Sequence, residues 1–189
     1  MSRRVDTRAK LRTLQAGRKL HQGGLLAHNT STLAGITALP GHNRAVSKAQ
    51  LFKQRRKPFL LLADSKRTAL KQAIWLPKAL RQLANSSWPG AVTLVFPARK
   101  HLHEACYQKR TIAVRVDANP EVRRLANISG GLLLSSSLNR RGKPVESINQ
   151  KLKFRWQRHF LAMLNHEQSC GVASKIIKVL AKTHRVIRK

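Results

Sequence analysis

Acidic side chains are scarce in this sequence. Asp6, Asp64, Glu104, Asp117, Glu121, Glu146 and Glu167 are the whole set in 189 residues. Catalysis by paired carboxylates needs two acids converging on one substrate. Two-metal catalysis needs ligands, usually carboxylates, that hold two ions about 4 Å apart. Neither is well supplied. Phosphate chemistry here has to rest on Lys, Arg, hydroxyl and backbone donors, with any magnesium ion held largely by a nucleotide and water. Cysteine is also sparse. Cys106 and Cys170 lie far apart without CxxC spacing, which argues against a disulfide framework or a zinc site and fits a reducing cytosol. No apolar run approaches 18 residues; Phe59–Ala63 and Ala91–Phe96 are the longest candidates. A transmembrane helix is excluded and no membrane partner is expected. The basic start, MSRRVDTRAKLR, is followed by no apolar h-region, so a secretory signal is not expected.

What the chain has in excess is positive charge. Lys and Arg number 38, for a formal net charge of +31 at pH 7. Such a chain binds polyanions at low salt whatever its function. One reading is contact with RNA or another polyphosphate partner. The other is a general basic drift with nonspecific binding as a by-product. The basic residues are spread along the chain rather than gathered in one tail. A hydrophobic fraction of 42% is too high for a disordered basic tail, and the length suits one domain with a substantial core.

Periodicity predicts a mixture of helices and strands. Val5, Leu11, Leu14 and Leu20 recur at near-helical spacing over residues 5 to 20, and Gly23-Gly24 stops that helix. Leu25 to Ala27 reads as a short strand ending in His28-Asn29-Thr30-Ser31-Thr32. Further helices are expected over Ala45 to Gln54, Leu70 to Leu83 with a break at Pro77, Pro120 to Ala126, and part of Glu146 to Asn165. Further strands are expected at Phe59–Ala63, Ala91–Phe96, Thr111–Val116 and Leu132–Leu134, with Lys175–Ala181 closing the fold. The mixture indicates a single α/β (α+β) domain. Trp75, Trp88 and Trp156 are expected in the core or at its edge.

Three polar clusters fall where elements give way to loops: Asn29–Thr32, Lys53-Gln54-Arg55-Arg56-Lys57, and Ser135–Asn139. The last lies in LLLSSSLNRRGKP (Leu132–Pro144), where Arg140, Arg141 and Lys143 add charge beside small hydroxyl and amide groups. That combination suits an anionic, polyoxygenated ligand such as a nucleotide phosphate. Ligands in α/β sheets bind at strand ends, and clustered cations beside hydroxyls can neutralise a triphosphate under attack. Each cluster has a plainer reading. The serines can be turn formers, the Lys53–Lys57 run a solvated helix end, and Thr30 an ordinary cap.

Their order tips the balance. Lys53-Gln54-Arg55, then SWPGAVTLVFPA (Ser87–Ala98), TIAVRV (Thr111–Val116) and SSSLNRRGKP (Ser135–Pro144) resemble the YrdC/TsaC family, the threonylcarbamoyl-AMP synthases. That family carries KxR, WPGPxTxVxPA, xxAVRxP and STSANxSGxP in this order. LLAHNTSTLAG (Leu25–Gly35) and Ala173-Ser174-Lys175-Ile176 extend the resemblance over residues 5 to 189. It implies a single YrdC-like domain, a twisted mixed β-sheet wrapped by helices around a concave basic cavity. It further implies a cytoplasmic nucleotidyltransferase that makes L-threonylcarbamoyladenylate from L-threonine, bicarbonate or CO2, and ATP, with release of pyrophosphate. A threonylcarbamoyl-transferase complex would then modify adenosine 37 of tRNAs reading codons that begin with A. ATP enters as substrate, with Mg2+ held mainly by the nucleotide and no metal site in the protein.

By the same resemblance, the catalytic tetrad is Lys53, Arg55, Ser137 and Asn139, with Thr111 and Arg188 as further ATP contacts. Thr30, Arg115, Ser135 and Ser174 match positions at or near the threonine site. Arg115 suits bidentate pairing with the amino acid's carboxylate; its alternative is an ion pair with an acid such as Asp117. The chain also departs from the family. Tyr-Pro-Thr-Glu becomes His28-Asn29-Thr30-Ser31, and loss of the proline predicts a looser loop. Residues Arg55 to Phe59 fall about two short, and Leu138 replaces the usual alanine, which predicts a narrower pocket. The rival reading is a double-stranded RNA or tRNA-binding protein on the same fold, with weak or lost synthesis.

Overall fold

The computed structural model describes residues 2–56, 58–156, 161–162, 168–181 and 183–189. Helix α1 spans Ser2–His21, followed by strands β1 (Leu26–Asn29) and β2 (Ala34–Ala38), helix α2 (Asn43–Lys53) and strand β3 (Leu60–Ala63). Helices α3 (Lys66–Lys71) and α4 (Lys78–Ser87) lead into β4 (Val92–Pro97), and a short turn of helix at Glu104–Cys106 precedes β5 (Tyr107–Gln108). The chain continues through β6 (Thr111–Val116), α5 (Pro120–Ile128), β7 (Leu132–Ser137), α6 (Gln150–Trp156), β8 (Leu161–Ala162), β9 (Lys175–Val179) and β10 (His184–Arg188). Among the described residues these strands form one mixed sheet in the order β10-β9-β4-β6-β3-β7-β2-β1-β8, with β5 paired to β6. β3 runs parallel to β6, β4 to β9 and β1 to β8, and the other pairs are antiparallel.

The period of two along each strand divides the side chains between two layers. Leu61, Leu134, Val114, Leu94 and Ile36 face α2, α3 and α4 in the larger core, where Val46, Phe52 and Leu80 meet them. Their neighbours Leu62, Leu133 and Leu26 face the other way, onto Ala16 and Leu20 of α1 and Val122, Leu125 and Ala126 of α5. By the same alternation Gly35, Leu60, Thr93, Ala113, Arg115, Ser135 and Ser137 share the α1/α5 face. Those two helices cover only part of it, and the uncovered remainder is where the site lies.

The structure corrects several expectations. β2 lies where the sequence predicts no strand: AGITA is buried along its whole length, so small residues replace apolar alternation. β7 runs on through Ser137 rather than stopping at Leu134, so the serines are strand residues and not turn formers. Pro77 separates two helices, α3 starting at Lys66 behind its Ser65 cap and α4 starting at Lys78. α6 is short, and the remainder of the expected Glu146–Asn165 helix includes strand β8 and residues outside the described set. β10 is an exposed basic strand with no sequence signal of burial. In α1 the buried stripe is Thr13, Ala16, Gly17 and Leu20, while Leu11 and Leu14 face solvent. Trp88 is buried and its Nε1 donates to the Val92 carbonyl at 2.7 Å, whereas Trp75 is 40% exposed. The Trp156 side chain lies outside the described residues.

The WPG motif makes a tight corner. A Cβ on Gly90 would lie 2.4 Å from the Ser87 carbonyl oxygen, so no other residue fits there, and the Gly90 amide donates to Val116 O at 2.9 Å. That bond ties the entry of β4 to the end of β6.

Candidate functional site

A cavity of about 290 Å³ opens on the uncovered part of the α1/α5 face. Its floor is formed by Gly35, Leu60, Ala113 and Ser135, its walls by Thr30, Thr32, Thr93, Ser174, Ser136 and Ser137. Arg55, Arg115 and Arg188 bring three guanidinium groups to it. Gly35 matters to its shape, because a Cβ there would lie 3.0 Å from the Ser136 carbonyl oxygen.

Arg115 is buried at the cavity wall. Its Nη2 pairs with Asp117 Oδ2 at 2.7 Å and its Nη1 donates to Thr32 Oγ1 at 2.6 Å. The alternative reading of Arg115 as half of an ion pair is therefore realised, and the same guanidinium still lines the cavity. The other carboxylate oxygen, Asp117 Oδ1, accepts from Ser31 N and Asn119 N, both at 2.9 Å. One buried acid thus orients the arginine and anchors the 30–32 loop. Thr30 is a cap: its Oγ1 donates to Leu33 O at 2.7 Å and accepts from Thr32 N and Leu33 N at 3.2 Å. The Cys170 and Gly171 amides donate to Ser31 O and Thr32 O at 3.4 and 2.9 Å. Loss of the family's proline has therefore not left this loop without support; hydroxyl and backbone bonds hold it instead.

Beneath the loop lies His28, wholly buried, with neither ring nitrogen hydrogen-bonded among the described residues. Burial drives its pKa from 6.5 down to about 4, against the opposing pull of the Asp117 carboxylate. The imidazole is neutral at pH 7.

At the end of α2, Gln54 adopts a left-handed conformation (φ 52°) and caps the helix, so Lys53 and Arg55 leave in different directions. Arg55 Nη2 donates to Ser136 Oγ at 3.0 Å, and its guanidinium stands 5.2 Å from the Phe59 ring centroid. Lys53 is buried. Its Nζ donates to Ser137 O at 2.8 Å and to Asn139 O and Oδ1, both at 2.5 Å. Ser137 Oγ donates to the same Asn139 Oδ1 at 2.7 Å, and Asn139 Nδ2 donates to Lys143 O at 2.5 Å. Burial, reinforced by the Arg55 charge, pushes the Lys53 pKa down to about 8.

Seven of the ten expected residues line the cavity: Thr30, Arg55, Arg115, Ser135, Ser137, Ser174 and Arg188. Lys53 and Asn139 sit just behind its wall as a latch on the 137–143 turn. Thr111 stands apart, its hydroxyl donating to Gln108 O at 2.9 Å. Leu138 does not narrow the cavity; it is fully buried in the larger core. Arg188 holds Ser174 O through Nε and Nη2 at 2.9 and 2.7 Å, and Ser174 Oγ meets Thr93 Oγ1 at 2.9 Å. Sequence reasoning gives Thr32 and Ser136 only as members of the polar clusters, Ser136 in a supporting place, and passes over Thr93 and Phe59 as site residues. The three hydroxyls lie inside the motif blocks, but a hydroxyl in a block does not say which way it points.

Among the described residues no three His, Cys, Asp or Glu side chains converge on one point. The site is a three-arginine, hydroxyl-lined cavity on a helix-wrapped mixed sheet, suited to a small anion with several oxygens. A family model described as Sua5/YciO/YrdC, telomere recombination, matches residues 18–189, and the chain belongs to that family. Over 130 residues it is 37% identical to the threonylcarbamoyl-AMP synthase of Coxiella burnetii, covering 66% of this chain and 69% of that protein. The fold is similar to P. abyssi Sua5 complexed with L-threonine (TM-score 0.84, 23% identity, 93% of this chain). This chain spans 53% of that longer one. It is also similar to E. coli YciO (TM-score 0.83, 20% identity, 96% of this chain and 89% of that one).

Proposed function

We propose that this chain is an L-threonylcarbamoyladenylate synthase, a nucleotidyltransferase that uses L-threonine, bicarbonate or CO2, and ATP. The observation that carries the reading is the cavity, which sets the buried Arg115 beside Thr32 on one side and Arg55 beside Ser136 on the other. Carboxylation of the threonine amine gives a carbamate. A carbamate oxygen then attacks the α-phosphorus of ATP, a new P–O bond forms, and the bond to pyrophosphate breaks. Arg115, oriented by Asp117, pairs with the threonine carboxylate through its remaining N–H groups. Arg55 and Lys53 offset the charge on the triphosphate and on the pyrophosphate as it departs. For that, Lys53 exchanges its carbonyl partners for phosphate oxygens. Ser137 and Asn139 support the nucleotide from the facing wall, with Thr111 and Arg188 as outer contacts.

Asp117, the carboxylate paired with the cavity arginine Arg115, is already committed to Arg115, Ser31 and Asn119. A magnesium ion arriving on ATP would therefore be held by phosphate oxygens and water. The product passes to a threonylcarbamoyl-transferase complex acting on adenosine 37 of tRNA, in the cytoplasm. No helix among the described residues is long and apolar enough to cross a membrane. The test is pyrophosphate release from ATP by the purified protein. Release is expected only when threonine and bicarbonate are both present; release that ignores threonine, or none at all, sinks the reading.

A further inference from the structure

Two hydroxyls meet at the seam between β4 and β9. β4 lies between β6 and β9 in the sheet, and the parallel pairing sets Thr93 against Ile176. Thr93 therefore stands between Arg115 of β6 and Ser174, the residue that leads into β9. Thr93 and Ser174 both line the cavity, at 2% and 5% exposure, and their hydroxyl oxygens lie 2.9 Å apart. Arg188 closes on Ser174 from β10. Its Nη2 donates to Ser174 Oγ at 3.2 Å, and its Nε and Nη2 donate to Ser174 O at 2.9 and 2.7 Å. Among the described residues neither hydroxyl has any other hydrogen bond.

The protons of this pair can be counted. A guanidinium only donates, so Ser174 Oγ accepts from Arg188. Each hydroxyl has one proton and two lone pairs. One proton lies between the two oxygens, and the other is left over. When Thr93 donates, both Ser174 lone pairs are filled and the Ser174 proton is free to turn into the cavity. When Ser174 donates, the free proton belongs to Thr93. Two donors on one oxygen polarise its O–H, which makes Ser174 the stronger donor of the pair. The surroundings call for an anion to receive it. Arg188 has no acid partner among the described residues. Burial lowers the Arg115 pKa, Asp117 opposes that, and the Arg188 charge adds to it. A carboxylate between the two guanidiniums offsets their repulsion and accepts the free proton.

We propose that Thr93 is a positioning residue for amino-acid recognition: it donates to Ser174 and so holds the Ser174 O–H toward the ligand carboxylate that Arg115 binds. Thr93 acts through Ser174. Its role rests on the synthase reading, in which that ligand is threonine.

The test is calorimetric titration of L-threonine into the protein without ATP, alongside threonine-dependent pyrophosphate release. Thr93→Val keeps the branched shape suited to a strand. It is expected to weaken threonine binding about tenfold and to raise KM for threonine equally, with KM for ATP changed less than about twofold. Thr93→Ala should behave like Thr93→Val, which guards against a packing effect of valine alone. Thr93→Ser keeps the hydroxyl and should stay within about threefold of the wild type. In a Ser174→Ala background Thr93→Val should cost almost nothing more, because the residue it acts through is gone. A wild type that binds no threonine overturns the synthase reading and this role with it. If the wild type binds threonine, equal binding by Thr93→Val overturns the role of Thr93 alone. So do losses that simply add in the double variant, a matching rise in KM for ATP, or failure of Thr93→Ser to restore binding.

Discussion

The two concave regions use positive charge in opposite ways. In the cavity every cation already has a partner: Arg115 holds Asp117 and Thr32, Arg188 holds Ser174, Arg55 holds Ser136, and Lys53 behind the wall holds Ser137 and Asn139. In a wider groove at the other end of the sheet, where β3 ends and β7 begins, Arg67, Lys71 and Arg99 have none among the described residues. A cation fixed by neighbours has one direction in which it can act, which favours a small ligand of defined shape. A free cation on a flexible stem has no such fixed direction. Net charge by itself does not separate these uses; the partners of each cation do.

Breaking the buried pair should have the largest effect. Arg115→Ala strands a buried Asp117, at a cost of roughly 3–5 kcal/mol in stability, read by urea denaturation, and it should abolish threonine-dependent turnover. Loss of turnover with unchanged stability would mean the pair contributes little to the fold. The next effect is on acid stability. Unfolded, His28 binds a proton near pH 6.5; buried, it does so only near pH 4. Between those values the unfolded chain holds more protons, so stability drops as the pH is lowered through that window, by about 3 kcal/mol in all. His28→Phe should flatten that dependence, and an unchanged acid limb would show that other groups cause it.

Lys53→Ala should lower turnover at least 100-fold, about 2.7 kcal/mol in the barrier. In the wild type, kcat/KM for ATP should decline above pH about 8 as the ammonium is lost, and Lys53→Arg should remove that decline. An alkaline limb that survives Lys53→Arg would assign it elsewhere. Smallest is Ser136→Ala, which frees the Arg55 guanidinium. One hydrogen bond to a charged group corresponds to about a tenfold rise in KM for ATP with kcat little changed; a fall in kcat alone would place Ser136 in the reacting step.

Much of the element order is legible in the sequence, because Leu60–Ala63, Val92–Pro97 and Thr111–Val116 are apolar enough to be recognised as strands wherever they pack. β2 is not, because Ala34–Ala38 is buried on both faces with small side chains and shows neither period. The same limit applies at the site. The serine run and Lys53-Gln54-Arg55 stand out as polar residues at element ends, and Ser137 with Arg55 does line the cavity. Lys53 and Asn139 read as ligand contacts, but their present bonds are to each other and to Ser137, across more than eighty residues of chain. Leu138 reads as an obstruction, and its burial in the core depends on which way β7 exits the sheet.

By itself the sequence determined the family, through ordered motif blocks, and it excluded carboxylate-rich chemistry through the scarcity of acids. Local residue types are enough for both. Only the tertiary structure decided how the charges are used. It brought Asp117 to Arg115 and Ser31, turned Lys53 onto the Asn139 turn, and left Arg67, Lys71 and Arg99 open at the far end of the sheet. Whether a cation is spent on the protein or free for a ligand depends on distances of about 3 Å between residues far apart in the chain, and those distances exist only in the folded sheet.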